Sequence, residues 1–379
     1  MDVFTLNLRH LRAVVEISRC GSISGAAAAV NLTQPAITQA LAKLEGGIGQ
    51  PLFLRRADGM SPTPAAELLI PRAEAALAHI ASGRVTMAQL RALVAIADAG
   101  SYAGASIATG LSQPSLHRAV GDLSLALRRE LVTRRGKGIA LTDAGRKLAR
   151  RFRLALAELA AAISELNALQ GRETGRIAIG AMPLSRARLL PAAVSAFHRA
   201  YPEVRISIVE GAFHELIEPL RDGGLDLIIG ALRDPSPGPD LEQSVLFVDR
   251  PAVIARHGHP LQGSDLAALA QYPWIVPSCG TPLRGQWERM FADAGIAPPR
   301  VPIECGSVIT IRQILMDSDF LTLLSPDQIA VELEAGWLRR ICDVPPGLVR
   351  RIGLTTRTNW RPTARQASFI ELLGIHAGG

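Results

Sequence analysis

The chain has 379 residues, 48% of them hydrophobic and 20% charged, enough for two or three domains with cores of their own and too apolar for disorder. Its formal net charge of +7 is unevenly placed: residues 1–170 carry 20 Lys and Arg against 12 Asp and Glu, whereas residues 171–379 carry 21 against 22. The first part is therefore expected to meet a polyanion, and the lack of any long apolar run excludes a membrane span.

The opening MDVFTLNLRHL is too short and interrupted for a signal peptide, so a cytoplasmic protein without a membrane partner is expected. Leu11, Val14, Val15 and Ser18 have helical spacing, stopped at Gly21. Ser22 can cap a second helix through Ala26–Val30, and Thr33 a third, with Pro35 harmless in its first turn. On that third helix Ile37, Ala40, Leu41 and Leu44 form a buried stripe, which turns Gln34, Ala36, Thr38, Gln39 and Lys43 outward. Arg55-Arg56 follows as a basic turn. A connecting helix over 63–83, broken near Pro71, closes a first domain at 1–83.

Residues 84–141 repeat this plan. A shift of 79 residues carries Leu11 onto Leu90, Gly21-Ser22 onto Gly100-Ser101, Gln34-Pro35 onto Gln113-Pro114 and Leu44 onto Leu123. A register held that far indicates a duplicated unit. In the second copy Leu116, Ala119, Val120 and Leu123 point in, while Gln113, Ser115, His117 and Arg118 point out. A short helix, a turn and a capped helix with polar groups at its tip is the geometry that enters a DNA major groove. The expected DNA contacts are Gln34, Pro35, Thr38, Gln39, Lys43, Arg55 and Arg56, then Gln113, Ser115, His117, Arg118, Arg134, Arg135 and Lys137. Gly121 and Asp122 weaken the second recognition helix and set a negative charge near the DNA. Both copies are expected to be used; the alternative is a ligand-binding protein whose second copy serves assembly.

Residues 142–171 read as one long linker helix. Leu148, Phe152, Ala155, Leu159, Ala162, Leu166 and Leu169 recur in a heptad seam, which predicts pairing with a second copy of the chain, as a homodimer or homotetramer. After Gly171 the texture changes to alternating strands and helices, which predicts parallel sheets with covering helices over 172–379. A second set of strands begins near Val245, and the last segment, Leu348–Thr356 with a helix over Thr363–Leu373, returns to the first set. The result is two α/β lobes, 172–249 with 344–379 and 250–343, joined by two crossings around a cleft. His257 and His259, two apart in a turn, are expected to be solvated, and the cysteines at 20, 279, 305 and 342, lacking Cys-x-x-Cys spacing, to be free thiols.

Ligands of open α/β sheets sit beyond the carboxyl ends of strands. Two loops take that position: Met182, Leu184, Ser185 and Arg186 after the first strand, and Ser278 with Thr281 after Trp274–Val276. Their hydroxyls either bind an anion or simply cap the helices that follow. No Gly-x-Ser-x-Gly, His-Glu-x-x-His, Walker-type or Gly-x-Gly-x-x-Gly motif occurs, so neither an enzyme nor a cofactor is expected.

Ser112-Gln113-Pro114-Ser115-Leu116 through Leu141-Thr142-Asp143-Ala144-Gly145-Arg146 resembles the winged helix-turn-helix of LysR-type transcriptional regulators, and Thr33-Gln34-Pro35-Ala36-Ile37 through Leu52-Phe53-Leu54-Arg55 is similar to it too. The family normally carries one such unit. The first copy also departs from it, with Ser61-Pro62-Thr63-Pro64-Ala65-Ala66 in place of Leu-Thr-x-x-Gly. Gly180, Leu190-Pro191, Tyr201-Pro202, Glu210-Gly211, Leu225-Asp226-Leu227 and His259-Pro260-Leu261 resemble the family's effector domain. The resemblance implies two winged helix-turn-helix units, a linker helix and a two-lobed α/β domain of periplasmic-binding-protein type. It further implies that Ser307 lines the cleft and that the small-molecule effector is an organic acid, with Arg186 or Arg284 to pair its carboxylate.

Overall fold

Capping residues set most helix starts in the computed structural model, which describes residues 1–57, 59–136, 138–172, 174–261 and 263–377. Lys137, one of the expected DNA contacts, lies outside the described residues. The chain forms two units, one of residues 1–175 with 222–224, the other of 176–221 with 225–379.

In the first unit Asn7, Ser22 and Thr33 cap α1 (Leu8–Cys20), α2 (Ile23–Ala29) and α3 (Gln34–Ile48). A hairpin of β1 (Phe53–Arg56) and β2 (Gly59–Pro62) follows, then α4 (Pro64–Ile80). The second copy runs α5 (Met87–Ala99), α6 (Tyr102–Thr109), α7 (Gln113–Leu127), the hairpin of β3 (Val132–Arg135) and β4 (Gly138–Leu141), and α8 (Asp143–Leu169). Thr63 and Thr142 do the same double duty. Each caps its helix and donates its hydroxyl to the strand entering the hairpin, Thr63 to Pro51 O at 2.8 Å and Thr142 to Glu130 O at 2.8 Å. Gly145 answers a close approach, since a Cβ there would lie 2.1 Å from Leu131 O. Its counterpart in the first copy is Ala66, fully buried.

Two expectations fail in this unit. Pro71 does not break α4, which runs through it. One missing N–H and a ring clash cost about 3 kcal/mol, and Leu69, Ile70, Ala73, Ala76 and Ile80, all buried, hold the helix against that. The seam of α8 does not await a partner chain: Phe152, Ala155, Leu159, Ala162 and Leu166 are buried because α4 of the same chain packs along it. Leu169, at its end, is exposed. One hydrophobic core joins both copies and both long helices.

The second unit holds two five-stranded sheets. The first, in order β6-β5-β7-β14-β8, comprises β5 (Gly175–Ala181), β6 (Val204–Glu210), β7 (Leu227–Ala231), β8 (Leu241–Asp249) and, returning from the far end of the chain, β14 (Arg350–Arg357). Helices α9 (Leu189–Ala200) and α10 (Phe213–Arg221) lie between its strands in sequence. The second, in order β11-β10-β12-β9-β13, comprises β9 (Ala252–Arg256), β10 (Trp274–Val276), β11 (Ile303–Glu304), β12 (Leu321–Leu324) and β13 (Leu338–Asp343). Its helices are α11 (Leu266–Leu269), α12 (Pro282–Ala292), α13 (Val308–Met316) and α14 (Ala330–Glu334), and α15 (Ala364–Ala377) ends the chain against α9.

The second set of strands begins at Ala252, not near Val245, because the whole of β8 pairs with β14 in the first sheet. Nor are the sheets purely parallel. The strand that follows each crossing runs backwards, β14 against β7 and β8, and β9 against β12 and β13. His259 is buried, not solvated: Nδ1 accepts Leu261 N–H at 3.1 Å, Nε2 lies 3.1 Å from Asp319 O, and the ring packs on Tyr272. Asp226 is a latch between strands, its carboxylate accepting from Ala178 N at 2.7 Å; burial pushes its pKa up. No single helix among the described residues is long and apolar enough to cross a membrane.

Candidate nucleic-acid interface and ligand cleft

The tips of α3 and α7 are built alike. Thr33 Oγ1 accepts from Ala36 N at 3.4 Å and Ser112 Oγ from Ser115 N at 3.3 Å, and a proline follows in each first turn. Ile37, Ala40, Leu41 and Leu44 anchor α3, and Leu116, Val120 and Leu123 anchor α7. Gln34, Pro35, Gln39 and Lys43 are then left exposed on α3, and Gln113, Pro114, Ser115, His117 and Arg118 on α7. Arg55 and Arg56 on β1, and Arg134 and Arg135 on β3, are exposed beside them.

The two tips differ in how free their side chains are. Thr38 is half-buried and donates its hydroxyl to Gln34 O at 3.0 Å. His117, at the matching position, lies against the Tyr102 ring with centroids 5.2 Å apart. Ser115 Oγ shares a 2.8 Å hydrogen bond with Ser112 Oγ. Lys43 is answered by Asp122, 79 positions on, so the two copies carry opposite charge late in the recognition helix. Behind the first tip, burial and the Lys43 ammonium hold His10 below its ordinary pKa.

In the second unit the loops after parallel β10 and β11, which carry Ser278 and Thr281 and then Ser307, open at the same end of a sheet. Ser278 and Ser307 are exposed. Thr281 caps α12, accepting from Arg284 N at 3.4 Å and donating to Ser278 O at 2.9 Å, while Ser307 caps α13. On the first sheet Met182, Leu184 and Ser185 are buried, and the Ser185 hydroxyl is spent on Met182 O at 2.8 Å. That bond makes Ser185 a structural brace of its turn. Arg186 pairs with Glu210; Arg284 pairs with Glu288 at 2.8 Å and Glu304 at 3.2 Å and lies over the Trp287 ring. The guanidinium groups offered to an anion therefore already hold carboxylates.

Sequence reasoning missed Arg188 and Asp327, which meet at 3.5 Å and tie the loop after β5 to the loop after β12. Arg188 had a signal in its spacing from Arg186, but Asp327 had none short of the fold.

A family model described as the LysR substrate binding domain matches residues 170–377, and one described as the bacterial regulatory helix-turn-helix protein, lysR family, matches twice, at 8–67 and 87–146. The HTH-type transcriptional regulator GalR of Pseudomonas putida is 34% identical over 373 residues, 94% of each chain. The SDS degradation transcriptional activation protein of a Pseudomonas species is 31% identical over 277 residues, 71% of this chain and 89% of its own. Among solved structures, ArgP from Mycobacterium tuberculosis matches with a TM-score of 0.61 at 20% identity, over 77% of this chain and 97% of its own. Full-length CbnR complexed with its target DNA matches with a TM-score of 0.55 at 21% identity, over 76% and 98%. The GalR match leaves out less of the chain than one repeat, so it extends into both copies; the two structures leave out a share about the size of one.

Proposed function

Because the chain belongs to the LysR-type transcriptional regulators, we propose that it reads a specific double-stranded site through both α3 and α7, under the control of a small molecule held in its second unit. It is a DNA-binding regulator and not an enzyme. The observation that carries the reading is the pair of matching tips, each buried along one face and presenting exposed amides and cations beside an arginine-bearing hairpin. Gln34, Gln39, Lys43, Gln113, His117 and Arg118 reach base edges, and Arg55, Arg56, Arg134, Arg135 and Lys137 hold phosphates.

The domain plan is 1–83 and 84–141 for the two winged units, 142–171 for the linker helix and 172–379 for an effector domain of periplasmic-binding-protein type. Its cleft lies between the two sheets, and Ser278, Thr281 and Ser307 face an anionic ligand, an organic acid, that displaces Glu210 from Arg186 or Glu304 from Arg284. Closure of the two lobes on that ligand then shifts the set of recognition helices. Self-association uses a surface other than the α8 seam, which α4 fills. The compartment is the one that holds the genome.

Selection of bound duplexes from a random pool tests the reading. An enriched sequence whose binding weakens steeply with salt is expected. Equal retention of random DNA and of the chain's own promoter region would refute it.

A further inference from the structure

The two copies are related by more than a shift along the chain. Arg72 on α4 reaches Glu158 on α8 at 3.1 Å, and Glu158 stands 79 residues beyond His79. The residue 79 beyond Arg72 is Arg151, and its guanidinium reaches back to Ala78 O at 3.2 Å. The contact is thus returned with the copies exchanged to within one residue, since Ala78 stands next to His79, the counterpart of Glu158. The same holds at the other edge of the helices. Arg91 lies over the Phe4 ring at 4.8 Å, while its counterpart Arg12 lies against Gly83, the counterpart of Phe4.

Reciprocal contacts of this kind define an isologous, two-fold arrangement. Its axis passes between α4 and α8, which run antiparallel: Arg72 near the middle of one meets the middle of the other, and Arg151 meets the end of α4. Each three-helix unit sits on its own long helix in the same way, α1 on α4 and α5 on α8. A two-fold rotation preserves the component of any vector along its axis. The tips of α3 and α7 therefore lie at one height along that axis.

That arrangement matches the dyad of an inverted repeat in DNA, which dimeric readers normally meet with two chains. From it we infer that a single chain reads both arms of an inverted site, and that the arms are unlike. Among the positions of the recognition helices that the copies fill differently, three change the polar group offered outward: Thr38 against His117, Gln39 against Arg118 and Lys43 against Asp122. A glutamine at such a tip suits the adenine edge, and an arginine suits guanine N7 and O6. The inference rests on the DNA-binding reading and adds which copy reads which arm.

Selection of bound sequences by the full chain, the Gln39→Ala variant and the Arg118→Ala variant tests it. Both residues are exposed, so folding is spared, and circular dichroism of each variant checks that. Wild type should enrich two unlike arms in inverted order, centred about 10 base pairs apart or a multiple of that. Gln39→Ala should relax base preference in one arm alone and Arg118→Ala in the other alone, each lowering affinity for the wild-type site about 5- to 150-fold. Arms that are identical, arms in direct repeat, or two substitutions that relax the same arm would overturn the inference while leaving DNA binding intact. Absence of any enriched sequence would remove the DNA-binding reading as well.

Discussion

Arg19 on α1 holds Glu74 on α4 at 2.9 Å, and at the matching positions of the second copy the pair reappears with its charges exchanged, Asp98 on α5 holding Arg153 on α8 at 3.0 Å. The position of the pair is retained while its sign is not. If α1 packed on α8 and α5 on α4, Arg19 would face Arg153 and Asp98 would face Glu74. The exchanged charges thus work against a swap of three-helix units between the two long helices.

Glu74→Arg should destabilise the first unit by up to about 1 kcal/mol, since both partners are substantially exposed and such pairs are worth little. Adding Arg19→Glu should return most of that loss. The four tryptophans all lie beyond residue 270, so the measurement is urea denaturation followed by far-ultraviolet circular dichroism or amide exchange of residues 1–175. A double variant no better than the single one would deny the pair any direct energy.

Arg72 makes a stronger demand. It is 3% exposed and its guanidinium joins Glu158 and Glu165, at 3.1 and 2.8 Å. Arg72→Ala leaves two carboxylates facing each other over a buried gap, and the first unit should lose about 3–5 kcal/mol. Replacing all three charges, as Arg72→Met with Glu158→Gln and Glu165→Gln, should recover most of it, because the triad offsets its own desolvation rather than adding much. If Arg72→Ala proved silent in denaturation, the α4–α8 pairing would not be what closes the seam.

That seam shows how far sequence carries. The heptad on α8 was legible as a face to be covered, because periodicity encodes a buried stripe. Periodicity does not say which chain covers it. The covering stripe, Leu69, Ala73, Ala76 and Ile80, has the same spacing, but Pro71 inside it argues locally against a helix long enough to serve. The tips of α3 and α7 were readable for the opposite reason: caps, a first-turn proline and an apolar stripe are all local signals, and they agree. Ser185 was not, since only the closed turn after β5 shows its hydroxyl returned to Met182 O. His259 looked solvated because its neighbours in sequence are Gly258 and Pro260, whereas its burial comes from Asp319 and Tyr272, far along the chain or across the turn.

His259 brings a pH dependence. Burial is the main cause that holds its pKa below the ordinary 6.5, and the charges of Arg256 and Arg339 add to it. A proton on Nδ1 would also break the bond from Leu261 N. The unfolded chain therefore takes up this proton at a higher pH than the folded one. Stability of the second sheet is highest above pH 6.5 and falls as the pH drops through that value toward the lowered folded pKa. Trp274 and Trp287, buried in that core, report the transition by fluorescence. His259→Asn, which can still accept from Leu261 N, should flatten the pH dependence between neutral pH and about 5 while costing the packing on Tyr272. An unchanged slope in that variant would place the dependence elsewhere.

The arginines of the proposed ligand site are occupied, and that decides how an anion would bind. Arg284 is 12% exposed and shared between Glu288 and Glu304, so an incoming carboxylate competes with Glu304 for the same guanidinium. Glu304→Gln removes the competitor and should raise affinity for an anionic effector by about tenfold or more, as charged hydrogen bonds are worth about 1.5–3 kcal/mol. Arg284→Gln should lower it by a similar factor. Arg186→Gln separates the two loops, since Arg186 pairs with Glu210 on the other sheet. Thermal shift and calorimetry over a panel of organic acids measure all three. A ligand whose affinity ignores both Arg284→Gln and Arg186→Gln is neutral or bound elsewhere, and the anionic site between the sheets would have to be given up.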